Sequence, residues 1–176
     1  MTRTPILILP GYGDSGPAHW QSLWQAAEPA MQRVPLDDWE QPHCARWLAR
    51  LETAVAECGP DTLLVAHSLA CLLVAHWAAQ RERRIRGALL VAVPDPLGPN
   101  FPGAAQGFAP LPLKRFDFPS LVVASSDDPF SSSGFAQACA SAWGSRCLNI
   151  GAAGHINDAS GLGEWREGRE LLRSLA

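Results

Sequence analysis

The 176-residue sequence lacks any apolar run long enough to cross a bilayer. Its five cysteines, Cys44, Cys58, Cys71, Cys139 and Cys147, include no C-x-x-C pair. An odd, scattered set of thiols fits free cysteines in a reducing compartment better than a disulfide framework or a zinc site. Excess positive charge is also missing. The net charge is −3 and the pI about 5.9, which leaves no general attraction to nucleic acid or to an anionic membrane. The one basic cluster is Arg81, Arg83, Arg84 and Arg86. It falls where a helix should end, and cations there complement the helix dipole. There is no internal repeat. Thr4-Pro5 leads straight into a short apolar run, with no signal sequence before it. These absences predict a soluble, cytoplasmic protein.

What is present is apolar residue, 47% of the chain, enough for one sizeable core in a single domain over residues 1–176. Short β-rich runs alternate with helix-length segments. Ile6–Leu9 and Thr62–Ala66 are apolar throughout, as strands covered on both faces are. Ala88–Val93, Leu121–Ala124 and Cys147–Ile150 read as further strands. Gln32–Leu36 reads as a short edge strand, because Pro35 is unsuited to a central one. Helices are expected over 18–28, 43–57, Leu69–Arg81, Gly134–Trp143 and Glu164–Leu175. Trp20, Leu23, Trp24 and Ala27 share one helical face, as do Trp47, Leu48, Leu51 and Val55. The third helix is apolar all round near its start and should be buried. Trp24, Trp47, Trp77, Trp143 and Trp165 are expected in the core. This order predicts an α/β fold, a three-layer α/β/α sandwich on a mainly parallel sheet of about six strands. Residues 94–119 break the pattern with seven prolines. They read as a long loop or minimal lid over one end of the sheet.

In such a sheet, ligands sit beyond the carboxyl ends of the strands. The first strand runs into P-G-Y-G-D-S-G-P. Gly11, Gly13 and Gly16 spell G-x-G-x-x-G, and Asp37 and Asp38 follow about 20 residues on, as in a dinucleotide-binding turn. However, Pro17 follows Gly16, and proline favours the first helical position. The helix then starts after the glycines, which form a longer loop. The strand Thr62–Ala66 ends in A-H-S-L-A. A serine on a sharp strand-to-helix turn needs very small residues two before and two after it, and Ala66 and Ala70 meet that in relaxed form. Ser68 is also a plausible helix N-cap. Asp127 and Asp128 follow the strand Leu121–Ala124, where turn formation and capping compete with chemistry. His155 lies in the glycine-rich loop after the last strand.

Serine, acid and histidine in that chain order, each after its own strand, fit a nucleophilic triad. The serine hydroxyl is a weak nucleophile and needs an imidazole to take its proton. The imidazole needs a carboxylate behind it. The oxyanion formed on attack needs backbone donors. The N–H groups of Leu69 and Tyr12 are the candidates. His19, Trp20, Gly11 and Asp127 are candidates for the pocket wall. His67 reads as a packed neighbour, and so does Cys71.

P-G-Y-G-D-S-G-P-A-H-W-Q-S-L-W, A-H-S-L-A, S-S-D-D-P-F and G-H-I-N-D together resemble the small serine hydrolases grouped with retinoblastoma-binding protein 9 and the bacillus YdeN protein. The resemblance spans Ile6 to Leu172. It implies a compact α/β-hydrolase fold without a large cap domain, cleaving an ester, thioester or amide of a small acyl substrate with no metal or organic cofactor. It also implies Ser68 as nucleophile, His155 as base and Asp128, rather than Asp127, as the acid. Ala70 departs from the usual second glycine of the turn. The L-x-C-x-E motif for binding the retinoblastoma protein is absent, so that partner is not expected. Two other readings stand beside this one: a dinucleotide-binding oxidoreductase using Gly11, Gly13 and Gly16, and a non-catalytic interaction domain on a hydrolase fold. The oligomeric state is open.

Overall fold

A computed structural model describes residues 4–80 and 83–175. Six strands form one parallel sheet: β1 (Ile6–Leu9), β2 (Met31–Arg33), β3 (Leu63–His67), β4 (Gly87–Val91), β5 (Ser120–Ala124) and β6 (Arg146–Asn149). Their order is β2-β1-β3-β4-β5-β6, and every pairing is parallel. Five α-helices, α1 (Trp20–Ala27), α2 (Cys44–Cys58), α3 (Leu69–Gln80), α4 (Ser133–Trp143) and α5 (Arg166–Arg173), and a short 3-10 helix at Asp158–Ser160 accompany them.

Side chains alternate across each strand, so the sheet feeds two cores. Leu7, Leu9, Leu64, Ala66, Leu90 and Val122 pack with α2, α3 and α4. Ile8, Val65, Leu89, Val91 and Val123 pack with α1 and α5. This is the expected three-layer sandwich. The split follows from crossover handedness. The chain leaves β1 toward β2 in one direction and proceeds from β3 in the other, so α1 lands opposite α3 and α4. The reversal opens a crevice outside the carboxyl ends of β1 and β3.

The expectation of a buried α3 holds for its first nine residues: Leu69 through Trp77 are all buried, and only its last turn reaches the surface. Burying a leucine side chain contributes about 1.5–3 kcal/mol. Such a helix is held by packing on both sides rather than by an amphipathic face. Trp24, Trp47, Trp77, Trp143 and Trp165 are likewise buried. The indole N–H groups of Trp24, Trp47 and Trp143 donate to the carbonyls of Glu164, Asp37 and Pro112, so these rings carry no unpaired donor into the core.

Several boundaries differ from expectation. Helix α1 begins at Trp20 with His19 as its N-cap, three residues past Pro17. Pro17 is therefore not at the first helical position; residues 17–19 form a turn. Strand β2 ends before Pro35, which cannot extend the ladder. Helix α5 starts later than Glu164, after Trp165 in a left-handed conformation. Of the basic cluster, Arg81 lies outside the described residues. Arg83 pairs with Glu52 and Arg86 donates to Thr4 Oγ1.

Residues 94–119 contain none of the named helices or strands. Most of the segment lies along the α2–α4 face instead of over the sheet end. Gln106 bridges to the start of α2, Phe108 packs on Trp47, and Phe116 stacks on Trp143. Among the described residues, no helix is long and apolar enough to cross a membrane.

Candidate active site

The crevice at the strand reversal is a pocket of about 380 Å³. It is lined by Tyr12, Gly13 and His19 from the β1–α1 segment, and by His67, Ser68 and Leu69 from the β3–α3 turn. Pro94, Phe101 and Pro102 come from the proline-rich loop, and Phe130, His155 and Asp158 from the loops after β5 and β6.

Ser68 sits between β3 and α3 with φ of 54°. That left-handed conformation costs a non-glycine residue about 1–3 kcal/mol and persists only where the surroundings enforce it. Here Ser68 N–H donates to Val91 O at 2.9 Å, and its carbonyl accepts from Cys71 N–H at 2.8 Å. Ala66 and Ala70 are fully buried. A methyl group at position 70 therefore fits beside the turn.

Ser68 Oγ lies 2.7 Å from His155 Nε2. Both carboxylate oxygens of Asp128 lie 2.9 Å from His155 Nδ1. The ionised carboxylate only accepts, so Nδ1 carries the proton and Nε2 is free to accept from the serine hydroxyl. Asp128 Oδ1 also accepts from Phe130 N–H at 2.9 Å. The Asp128 side chain is 3% exposed and that of His155 10%, so water is largely kept from the pair.

Asp127 is the other acid of the turn, and it faces elsewhere. Its Oδ1 accepts from Ser125 Oγ and from Gly154 N–H, both at 2.7 Å. These bonds hold its carboxyl below the usual carboxylate range. Asp127 thus ties the β5 loop to the His155 loop and does not line the pocket. Trp20 does not line it either. Its indole is buried and donates to Ile156 O at 2.8 Å, because the first residue of α1 turns inward onto the second core.

The glycine loop is shaped by Ser68. A Cβ on Gly11 would lie 2.8 Å from Ser68 Cβ and 3.0 Å from His67 O. Only glycine permits that approach. On Gly16 a Cβ would meet nothing within 4 Å. In a dinucleotide turn the third glycine packs the helix tightly against the strand. Gly16 does not, and α1 starts four residues beyond it. Asp37 is taken up by Arg50, and Asp38 Oδ1 accepts from Gln41 N–H. The glycine spacing therefore lacks the packing of a dinucleotide turn. Among the described residues, neither Tyr12 N–H nor Leu69 N–H donates to another protein group. Both residues border the pocket beside Ser68.

The hydrogen bonds of three polar residues around the site escape sequence reasoning, although His67 is the packed neighbour expected there. Gln21 is fully buried; its Nε2 donates to Leu9 O and Val65 O, and its Oε1 accepts from Ser15 Oγ. It ties the ends of β1 and β3 together, yet a glutamine early in a helix reads as solvent-facing. Arg33 donates to Asp14 Oδ1, Ser15 O and Ser22 Oγ, fastening the glycine loop to α1. His67 is buried, and its Nε2 lies 2.9 Å from His155 O. A histidine closing the apolar run L-L-V-A-H is the one local signal of the three.

His19 lines the pocket wall as expected. Its Nδ1 accepts from Gln21 N–H at 3.1 Å, capping α1. Burial pulls its pKa down to about 4. Burial also holds His67 well below the usual range, with the neighbouring His155 and His19 adding to the effect. Burial raises the Cys71 thiol, so it is an inert packing group. Among the described residues, no cluster of three His, Cys, Asp or Glu side chains could hold a metal ion.

Comparison with known proteins agrees with this geometry. A family model described as serine hydrolase matches residues 6–174. A structure described as a YdeN-like hydrolase from Pectobacterium atrosepticum is 32% identical, with 97% of this chain and 89% of that one covered and a TM-score of 0.85. The ydeN gene product of B. subtilis shares the fold at 22% identity, 98% of each chain and a TM-score of 0.81. A thermophilic esterase from Thermogutta terrifontis shares it at 18% identity, 99% of this chain, 91% of that one and a TM-score of 0.67. No curated protein matches the chain. With a family match over nearly its whole length, the chain is an α/β hydrolase and belongs to the serine hydrolase family.

Proposed function

We propose that this serine hydrolase cleaves a carboxylic ester of a small molecule through an acyl-enzyme on Ser68, and that residues 1–176 act as one domain. The observation that carries the reading is the 2.7 Å contact from Ser68 Oγ to His155 Nε2, with Asp128 2.9 Å behind the imidazole. His155 takes the hydroxyl proton as Ser68 Oγ attacks the substrate carbonyl. Asp128 holds the imidazole in the tautomer that can accept it, and stabilises the cation that results. The unengaged N–H groups of Tyr12 and Leu69 receive the oxyanion; one such donor is worth about 3–4 kcal/mol in the transition state. His155 returns its proton to the leaving alkoxide, which departs as the alcohol. It then deprotonates a water molecule that attacks the acyl-enzyme, and returns that proton to Ser68 Oγ as the acid leaves. Thioesters and amides follow the same steps with a different leaving group. None of these steps calls on a metal or an organic cofactor. The free cysteines suit a reducing, cytoplasmic setting.

Fluorophosphonate labelling together with nitrophenyl ester hydrolysis tests the assignment. The wild type is expected to label at Ser68 and to turn over short-chain esters, and Ser68→Ala to do neither. Equal labelling of Ser68→Ala, or none of the wild type, overturns it. In the latter case the interaction-domain reading takes its place.

A further inference from the structure

We propose that His67 is a positioning residue that latches the base-bearing loop to the nucleophile turn, acting through the backbone of His155. The proposal rests on the assignment of Ser68 and His155 above. His67 closes β3 and directly precedes Ser68. Its Nε2 lies 2.9 Å from His155 O. A carbonyl oxygen only accepts, so His67 Nε2 carries the proton and donates. The His155 loop follows β6, the edge strand at the far side of the sheet from β3. Two strands, β4 and β5, separate it from the nucleophile. This hydrogen bond therefore spans directly what the sheet connects only at a distance.

The loop needs such a tie because its own backbone is irregular. Gly154 and Ile156, on either side of His155, both have positive φ, 55° and 49°. Asp127 fastens the loop before His155 through Gly154 N–H. Trp20 fastens it after His155 through Ile156 O. His67 holds the residue between, which bears the imidazole. The rings of His19, His67 and His155 stand in a row with centroids 4.7 and 5.0 Å apart. A neutral His67 adds no positive charge beside the imidazolium that His155 becomes during attack.

The test separates a donor at this position from mere bulk. His67→Gln can place an amide N–H near the position of Nε2. His67→Phe fills the space without a donor. We expect His67→Gln to keep kcat for a nitrophenyl ester within about threefold of wild type. His67→Phe is expected to lose about 10–100-fold in kcat with KM changed less than about threefold, and to slow fluorophosphonate labelling in proportion. Melting temperatures are recorded alongside. Wild-type kcat in a folded His67→Phe overturns the latch, as does an equal loss in a folded His67→Gln. Should either variant fold poorly, long-range 15N–1H NMR on the wild type decides: a proton on Nε2 of His67 is required, and a proton on Nδ1 overturns the proposal. Failure of the wild type to label instead overturns the Ser68 assignment, and the latch with it.

Discussion

At the scale of single residues, the site depends on a few atoms being where no alternative atom fits. Asp128 is one. Asp128→Asn preserves the shape and removes the charge, and its amide N–H can force the wrong tautomer on His155. We expect kcat to fall by roughly 10³–10⁴-fold with little change in melting temperature, measured by ester turnover and calorimetry. Asp127→Asn should cost far less, because that side chain faces Ser125 and Gly154 and not the imidazole. Gly11 is the other. Gly11→Ala places a methyl against Ser68 Cβ and the His67 carbonyl. Overpacking of that kind costs about 1–3 kcal/mol, and the strain falls on the nucleophile itself. A lower urea midpoint and at least about tenfold slower fluorophosphonate labelling are expected together; loss of one without the other would contradict this origin. The meeting of Ser68, Asp128 and His155 was legible because each follows its own strand in an order that chemistry recognises. The separation of Asp127 from Asp128 was legible only through the family resemblance, not from the local residues. Both follow β5 at once, and only the turn's hydrogen bonds decide which carboxylate swings toward His155.

At the scale of elements, the strands and helices were legible from apolar runs and helical spacing, but their ends were not. Pro17 marks a turn that delays α1, and His19, a residue with no strong capping reputation, supplies the cap through Nδ1. The same histidine makes stability depend on pH. Its pKa is about 4 in the folded chain and about 6.5 when unfolded. His67 is depressed as well. Between those values the unfolded chain binds more protons, so stability falls as pH falls from about 6.5 toward 4. Each group contributes a slope of at most about 1.4 kcal/mol per pH unit. Urea unfolding at pH 7 and pH 5 measures it. His19→Asn keeps an N-cap side chain and removes one titrating group, so it should show a smaller drop between the two pH values than wild type. Equal drops would mean that His19 already protonates in the folded state. Farther along the chain, helix α5 rests on a tight contact. A Cβ on Gly168 would lie 2.3 Å from the Trp165 ring. Gly168→Ala should therefore lower the melting temperature despite the better helix propensity of alanine.

At the scale of the whole molecule, a six-stranded sheet leaves its reversal point open. Residues 94–119 contribute only Pro94, Phe101 and Pro102 to the wall, with Phe108 and Phe116 drawn away onto the helices. Composition announced a loop there. The side it favours depends on where buried tryptophans offer aromatic faces, which only the assembled layers reveal. The resulting pocket, about 380 Å³, is near the small end of the usual ligand range of about 300–1,000 Å³. Nitrophenyl esters of rising chain length should lose kcat/KM beyond short acyl groups. A rising series would show that the loop yields to larger substrates.

The close approach of Gly11 to Ser68 also bears on descent. A side chain at 11 and a Cβ at 68 claim the same space. Giving up the Cβ at 68 relieves the tightest of the three close contacts, and it gives up the hydroxyl with it. Glycine at position 11 thus answers to any Cβ at 68, with or without the hydroxyl, and to the backbone of His67 and Leu69. Loss of the nucleophile through Ser68→Ala would keep that Cβ, and with it the constraint on position 11.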